Sequence, residues 1–179
     1  MLKSNLFYLL EQKKNDDKSK ISLSMKDKGS VLMPSKKHSI IVHANAKKVW
    51  DFVRSMNNWA PLVPGYVNHE IINDTVSTWE FKIDMGLFKK KIEMKVTILE
   101  WKEPTKVTFD LEGINDHFKG NGYFMVEVKD ANYTKMTGYL EINSTGTFPT
   151  ITNNLMEPKL EEIAEELTIA VSKAIEDLQ

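Results

Sequence analysis

The sequence predicts an α+β domain in which one long C-terminal helix lies over one antiparallel sheet of about seven strands. Three observations predict it. From Leu155 to Leu178 the apolar residues fall at Leu160, Ile163, Ala164, Leu167, Val171, Ala174, Ile175 and Leu178, in steps of three and four that mark one helix face. Between Lys37 and Ser144 most apolar runs alternate with polar residues, the period of a half-buried strand. Between the first strand and the rest, Asn45 stands as an N-cap before Ala46–Ser55, where Val49, Trp50 and Val53 form an apolar stripe.

The elements follow in order. Ser39–His43 is β-branched and reads as strand one. After the Ala46–Ser55 helix, Met56–Gly65 carries Pro61 and Pro64 and reads as a short broken helix or loop. Strand two covers about Val67–Ile72. Strand three, Val76–Met85, sets Trp79, Phe81, Ile83 and Met85 on one face, and Gly86 turns the chain. Strand four, Phe88–Trp101, has Ile92, Met94, Val96 and Ile98 in phase. The phase slips at Leu99-Glu100-Trp101, which predicts a bulge. Strand five carries Val107, Phe109 and Leu111, and Gly113–Lys119 reads as a loop. Strand six, Gly120–Val128, carries Phe124, Val126 and Val128. Strand seven, Thr134–Asn143, carries Met136, Gly138, Leu140 and Ile142. Thr145–Asn154 reads as a loop, and the last helix then runs from about Pro158 to Leu178, roughly 30 Å at ~1.5 Å per residue. Pro158 suits its first turn.

Composition narrows the function. The chain has 179 residues, room for one ordinary domain. Residues 36–179 read as that domain. Residues 1–35 read as a flexible tail or a start-site extension, because residues 11–37 show no sustained period. Seven lysines and four acids precede Pro34, which leaves the remainder acidic, and Arg54 is the single arginine. No nucleic-acid partner is expected, since phosphate binding needs clustered Lys and Arg. With no cysteine, thiolate catalysis and Cys-ligated zinc are excluded. No apolar run approaches a membrane-spanning length, and Leu6–Leu10 is too short for a secretory leader. The expected compartment is the cytoplasm. Peripheral membrane contact is a further expectation, because Leu6–Leu10 is followed by Lys13 and Lys14.

Several motifs then align in one order. Val49-Trp50-Asp51-Phe52-Val53, Trp59-Ala60-Pro61-Leu62-Val63-Pro64-Gly65 and Gly86-Leu87-Phe88-Lys89 resemble the CoxG family, which takes its name from carbon monoxide dehydrogenase. That family is a branch of the START-like (SRPBCC) superfamily. Gly120–Phe124, Met136-Thr137-Gly138-Tyr139 and the helix entry from Asn154 also fit. The resemblance spans about residues 36–178. It implies the helix-grip fold, a curved sheet gripping the C-terminal helix around an apolar cavity. It also implies a lipophilic quinone as ligand, and a molybdenum-containing dehydrogenase as partner.

A strongly curved sheet cannot rest on a helix along its whole length, so a gap opens, and an unfilled gap is destabilising. An apolar ligand that fills it gains about 25 cal/mol per Å² buried. The expected lining is Phe81, Ile83, Met85, Phe109, Phe124, Met136 and Leu140 from the sheet, with Met156, Leu160, Ile163 and Leu167 from the helix. Trp59, Leu62 and Pro64 belong to the expected lid or mouth. Each of these is also an ordinary core position. Trp50 and Trp101 read as structural. Catalysis finds little support: His38, His43, His69 and His117 read as solvated, no metal-ligand spacing appears, and Asp116-His117 lacks a partnered nucleophile. No cofactor is implied. The leading expectation is a non-enzymatic carrier of a lipid, isoprenoid or quinone. An assembly factor for a molybdenum hydroxylase, using the Trp59 loop as exposed anchor, comes second, and a polyketide cyclase-like enzyme third.

Overall fold

The computed structural model describes residues 34–84, 89–146 and 149–178. The expected N-terminal tail, Met85 and the Gly86 turn lie outside them. Met33–Gln179 forms one compact unit. The strands are β1 (Ser35–Val42), β2 (Tyr66–Ile71), β3 (Val76–Asp84), β4 (Lys89–Lys102), β5 (Lys106–Gly113), β6 (Phe118–Val128) and β7 (Thr134–Ser144). The helices are α1 (Ala46–Val53), α2 (Met56–Trp59) and α3 (Pro149–Asp177), with a 3₁₀ turn at Ala60–Leu62. This is the predicted α+β helix-grip fold, with a curved seven-stranded antiparallel sheet around the C-terminal helix.

The sheet order is β1-β7-β6-β5-β4-β3-β2. From β2 to β7 the sheet is a meander of sequential neighbours. The first strand joins it by pairing with the last, His38 opposite Gly138 and Ile40 opposite Met136. The two short helices therefore span the gap between the sheet's two edges. The predicted bulge is present in β4, where the register shifts between Ile98 and Glu100. Leu99 is thrown outward and 59% exposed. The slip also turns Trp101 inward, where its ring meets Trp50 edge-on, centroids 6.2 Å apart.

α1 begins as the sequence predicts. The Asn45 side chain accepts the Lys48 amide at 2.9 Å, satisfying one of the orphan donors of a helix start. At its other end two carbonyls are taken up by side chains. Asn58 Nδ2 donates to the Phe52 oxygen at 2.8 Å, and Trp59 Nε1 to the Val53 oxygen at 3.0 Å. Gly65 then turns with φ +74°, a left-handed conformation that glycine adopts without strain. A Cβ there would overlap the Lys82 carbonyl oxygen.

α3 starts earlier than predicted, at Pro149 rather than near Pro158. The reason is Asn153, which breaks the apolar period while lying on the buried face. Its side-chain oxygen accepts the Ser144 amide at 2.9 Å, and its Nδ2 donates to Asn143 Oδ1 at 3.1 Å. Pro149 takes the first-turn place. Pro158 is interior and has no N–H for the Asn154 carbonyl. Both residues are exposed, so that carbonyl lies toward water.

The helix is fastened to one side of the sheet. Lys36 of β1 pairs with Glu157 and Glu161 at 3.6 and 3.3 Å. Val171 and Ile175 are buried with Val42, Val49, Trp50 and Met136. Gly138 of β7 is the point of close approach, since a Cβ there would stand 3.1 Å from Thr168 Oγ1. Gly138→Val is therefore expected to cost about 1–3 kcal/mol by overpacking. Urea denaturation should show the loss, and Thr168→Ala in the same chain should recover part of it, because contacting residues couple.

Candidate functional site

Away from that fastening the helix and sheet separate. Between them lies an apolar cavity of about 300 Å³, with a second of about 80 Å³ beside it. The two share Trp59, Phe109, Leu140, Ile163 and Leu167 in their walls. The larger sits at the low end of the roughly 300–1,000 Å³ usual for small-molecule sites.

Alternation along the strands builds the walls. β3 contributes Trp79, Phe81 and Ile83, and β4 contributes Ile92, Met94 and Val96. β5 adds Phe109 and Leu111, and β7 adds Leu140 and Ile142. The helix supplies Met156, Ile163 and Leu167 as a roof, three residues on one helical face. Trp59 closes one side. Its hydrogen bond to Val53 fixes the indole, which meets Trp79 nearly edge-on at 4.9 Å. Trp79 is itself held by a 2.7 Å bond from Nε1 to Ser77 Oγ.

Of the expected lining and mouth, Trp59, Phe81, Ile83, Phe109, Leu140, Met156, Ile163 and Leu167 line the larger cavity, and Phe124 the smaller one. Met136 and Leu160 do not; each has no exposed surface and is close-packed in the core. Leu62 and Pro64 also stay out of the walls. The 3₁₀ turn presents Val63 inward instead, and Leu62 packs toward the Trp50 cluster. Trp59, the expected anchor, is half-buried, and its indole borders the cavity. Met85 lies outside the described residues.

Sequence reasoning missed one end of the cavity. There Lys90, Asp116, His117, Ser144 and Asn153 join the lining. Lys90 holds the same β4 phase as Ile92, Met94 and Val96, and Ser144 the same β7 phase as Leu140 and Ile142. That signal was readable in the alternation. Lys90 Nζ pairs with Asp116 Oδ1. Asp116 and His117 come from the β5–β6 loop, which a 2.8 Å bond from the Thr145 amide to the His117 carbonyl ties to the chain after β7.

Of the remaining titratable candidates, Tyr123 and Tyr139 border the smaller cavity. Asp84 is exposed, and Tyr123 and Tyr139 stack on each other with centroids 5.0 Å apart. Tyr139 donates to Glu141 Oε2 at 2.7 Å, and this bond, with partial burial, holds its phenol above the usual tyrosine range. His43 is exposed as expected. His69 is not simply solvated: its ring bonds Tyr66 and Asn57, each at 2.8 Å. His38 departs from expectation too, since it is half-buried and its Nδ1 is enclosed without a partner among the described residues. Among the described residues no group of three or more His, Asp or Glu could hold a metal ion, and no helix is long and apolar enough to cross a membrane.

Comparison with known proteins agrees with this architecture. A protein-family model matches residues 33–176. A conserved protein from Geobacillus kaustophilus superposes with a TM-score of 0.69 at 14% identity, covering 80% of this chain and 95% of that one. A START superfamily protein from Mycobacterium smegmatis gives 0.63 at 18%, covering 81% and 99%. An aromatase/cyclase from Streptomyces gives 0.58 at 15%, covering 82% and 93%. At such identities the likeness speaks for the fold alone. No curated protein sequence matches the chain.

The cavity makes two positions on one face of β7 respond differently to the same change. Leu140→Phe enlarges a residue that borders free volume and is expected to leave stability within about 1 kcal/mol of the parent. Met136→Phe overfills a packed site and is expected to lose about 1–3 kcal/mol. Thermal or urea midpoints of the two variants, measured side by side, check the difference.

Proposed function

We propose that the chain, which shares its fold with a START superfamily protein, is a binding or carrier protein for a hydrophobic small molecule held between sheet and helix. One observation carries this reading: about 300 Å³ of largely apolar space is left open inside a domain of ordinary size. As a dry void, at roughly 20–25 cal/mol per Å³, that space would forgo several kcal/mol. Typical domains have only about 5–15 kcal/mol in total. An apolar guest restores the missing contacts and removes its own surface from water.

The wall chemistry favours a flat or branched guest. Trp59, Trp79, Phe81 and Phe109 offer ring faces, while Met94 and Met156 offer thioethers that adapt to irregular shapes. A quinone ring with a short isoprenoid chain has this character, and it is the ligand that the CoxG resemblance implies. Partnership with a molybdenum-containing dehydrogenase is carried by that resemblance alone.

A second reading has one observation in its favour. Asp116 and His117 line one end of the cavity, and one structural neighbour is an aromatase/cyclase. A cyclising enzyme needs an acid or base within about 3 Å of the reacting atoms. His117 is exposed at the rim, whereas the deep walls are apolar, so we place binding ahead of catalysis.

Organic extraction of the purified protein followed by mass spectrometry should release a lipophilic compound in near-stoichiometric amount. Menaquinone with a short side chain should raise the thermal midpoint. Saturation at about 100 times Kd is worth about 2.7 kcal/mol, and in a domain of this size each kcal/mol moves the midpoint by about 2–4 °C. Absence of both the extract and the shift would overturn the carrier reading.

A further inference from the structure

The cavity is not apolar throughout, and its polarity is organised along one axis. On β4 the inward row passes from Val96, Met94 and Ile92 to Lys90. On β7 it passes from Leu140 and Ile142 to Ser144. The two rows run antiparallel to their sequential neighbours in one sheet, yet both become polar at the same end. There the β5–β6 loop adds Asp116 and His117. A guest that only needed to be greasy would gain nothing from this gradient.

The chemistry of that end is specific. Lys90 is a donor and carries a positive charge. Asp116 is an acceptor with a negative charge, and Lys90 engages its Oδ1. The other oxygen, Oδ2, is enclosed and has no hydrogen-bond partner among the described residues. A buried carboxylate oxygen without a partner is costly. Asp116 χ2 is a soft torsion, so a small turn of the carboxylate offers either oxygen to a group inside the cavity. The pair as a whole is neutral. It presents a donor beside an acceptor, and the functional group that answers both is a hydroxyl. A carboxylate guest would face Asp116, and an ammonium guest would face Lys90.

We propose that the Lys90–Asp116 pair is a headgroup subsite, and that the ligand is an uncharged amphiphile whose hydroxyl (an alcohol, phenol or hydroquinone) binds there while its apolar body fills the cavity. This rests on the carrier reading and deepens it. Asp116 and Lys90 act as binding residues.

The test compares three probes with one ring system: naphthalene, 2-naphthol and 2-naphthoate. Equilibrium dialysis against the full chain near neutral pH gives a dissociation constant for each. The expected order is 2-naphthol tightest, by about tenfold over both others. Two variants then change the charge balance. Asp116→Ala leaves Lys90 unpaired and should move the preference toward 2-naphthoate. Lys90→Met, at a half-exposed side chain, should weaken 2-naphthoate further. Circular dichroism of both variants confirms that each is folded. If naphthalene and 2-naphthol bind alike, or if neither variant shifts the affinity for 2-naphthoate in its stated direction, the headgroup subsite is wrong while the carrier reading survives. If none of the three binds, both fail.

Discussion

The approach of the C-terminal helix to β7 at Gly138 governs the rest of the architecture. A residue without a side chain lets Thr168 come against the strand, and Val171 and Ile175 then sink among Val42, Val49 and Trp50. The helix is long and effectively rigid, whereas the sheet is curved. Held to β1 and β7 along its length, with Asn153 bonded to Ser144 and Asn143, the helix stands off β3, β4 and β5. The free volume beneath Met156, Ile163 and Leu167 is a geometric consequence of that one-sided fastening, and needs no local defect in packing. Lys36, through Glu157 and Glu161, adds orientation from the surface. Exposed ion pairs of this kind contribute little energy, so the apolar seam does most of the fastening.

The strand pattern was readable because alternation is local. Trp79, Phe81 and Ile83 announced β3, and the slip at Leu99 announced the bulge in β4 that turns Trp101 toward Trp50. The start of α3 was not readable in the same way. Asn153 interrupts the apolar period, and its buried position makes sense only once Ser144 and Asn143 stand beside it in three dimensions. A polar residue satisfied by a distant partner is invisible to a periodicity argument.

The site divides along the same line. Residues of the inner phase were identifiable as inward-facing, and seven of the expected lining residues, with Trp59 of the expected mouth, border the larger cavity. Alternation cannot tell a cavity wall from a packed core, however. Met136 and Leu140 share one face of β7; the first is fully buried in the packed core and the second borders open volume. That difference depends on where the helix diverges, a property of the whole fold. Lys90 was the converse case. Its phase was plain, but a lysine at the start of a strand reads as surface until the Asp116 loop is seen to fold beside it.

The four tryptophans fall into two pairs. Trp50 and Trp101 pack against each other beneath the first helix, while Trp59 and Trp79 border the cavity. Trp59 is anchored through its ring nitrogen to a backbone carbonyl, and Trp79 to a serine hydroxyl. Neither indole can swing away without breaking a hydrogen bond. The chain thus carries a built-in optical gauge, two fixed chromophores beside the void and two that do not line it. Filling or emptying the interior changes the immediate surroundings of the first pair, so occupancy is written into the intrinsic emission of the unlabelled protein.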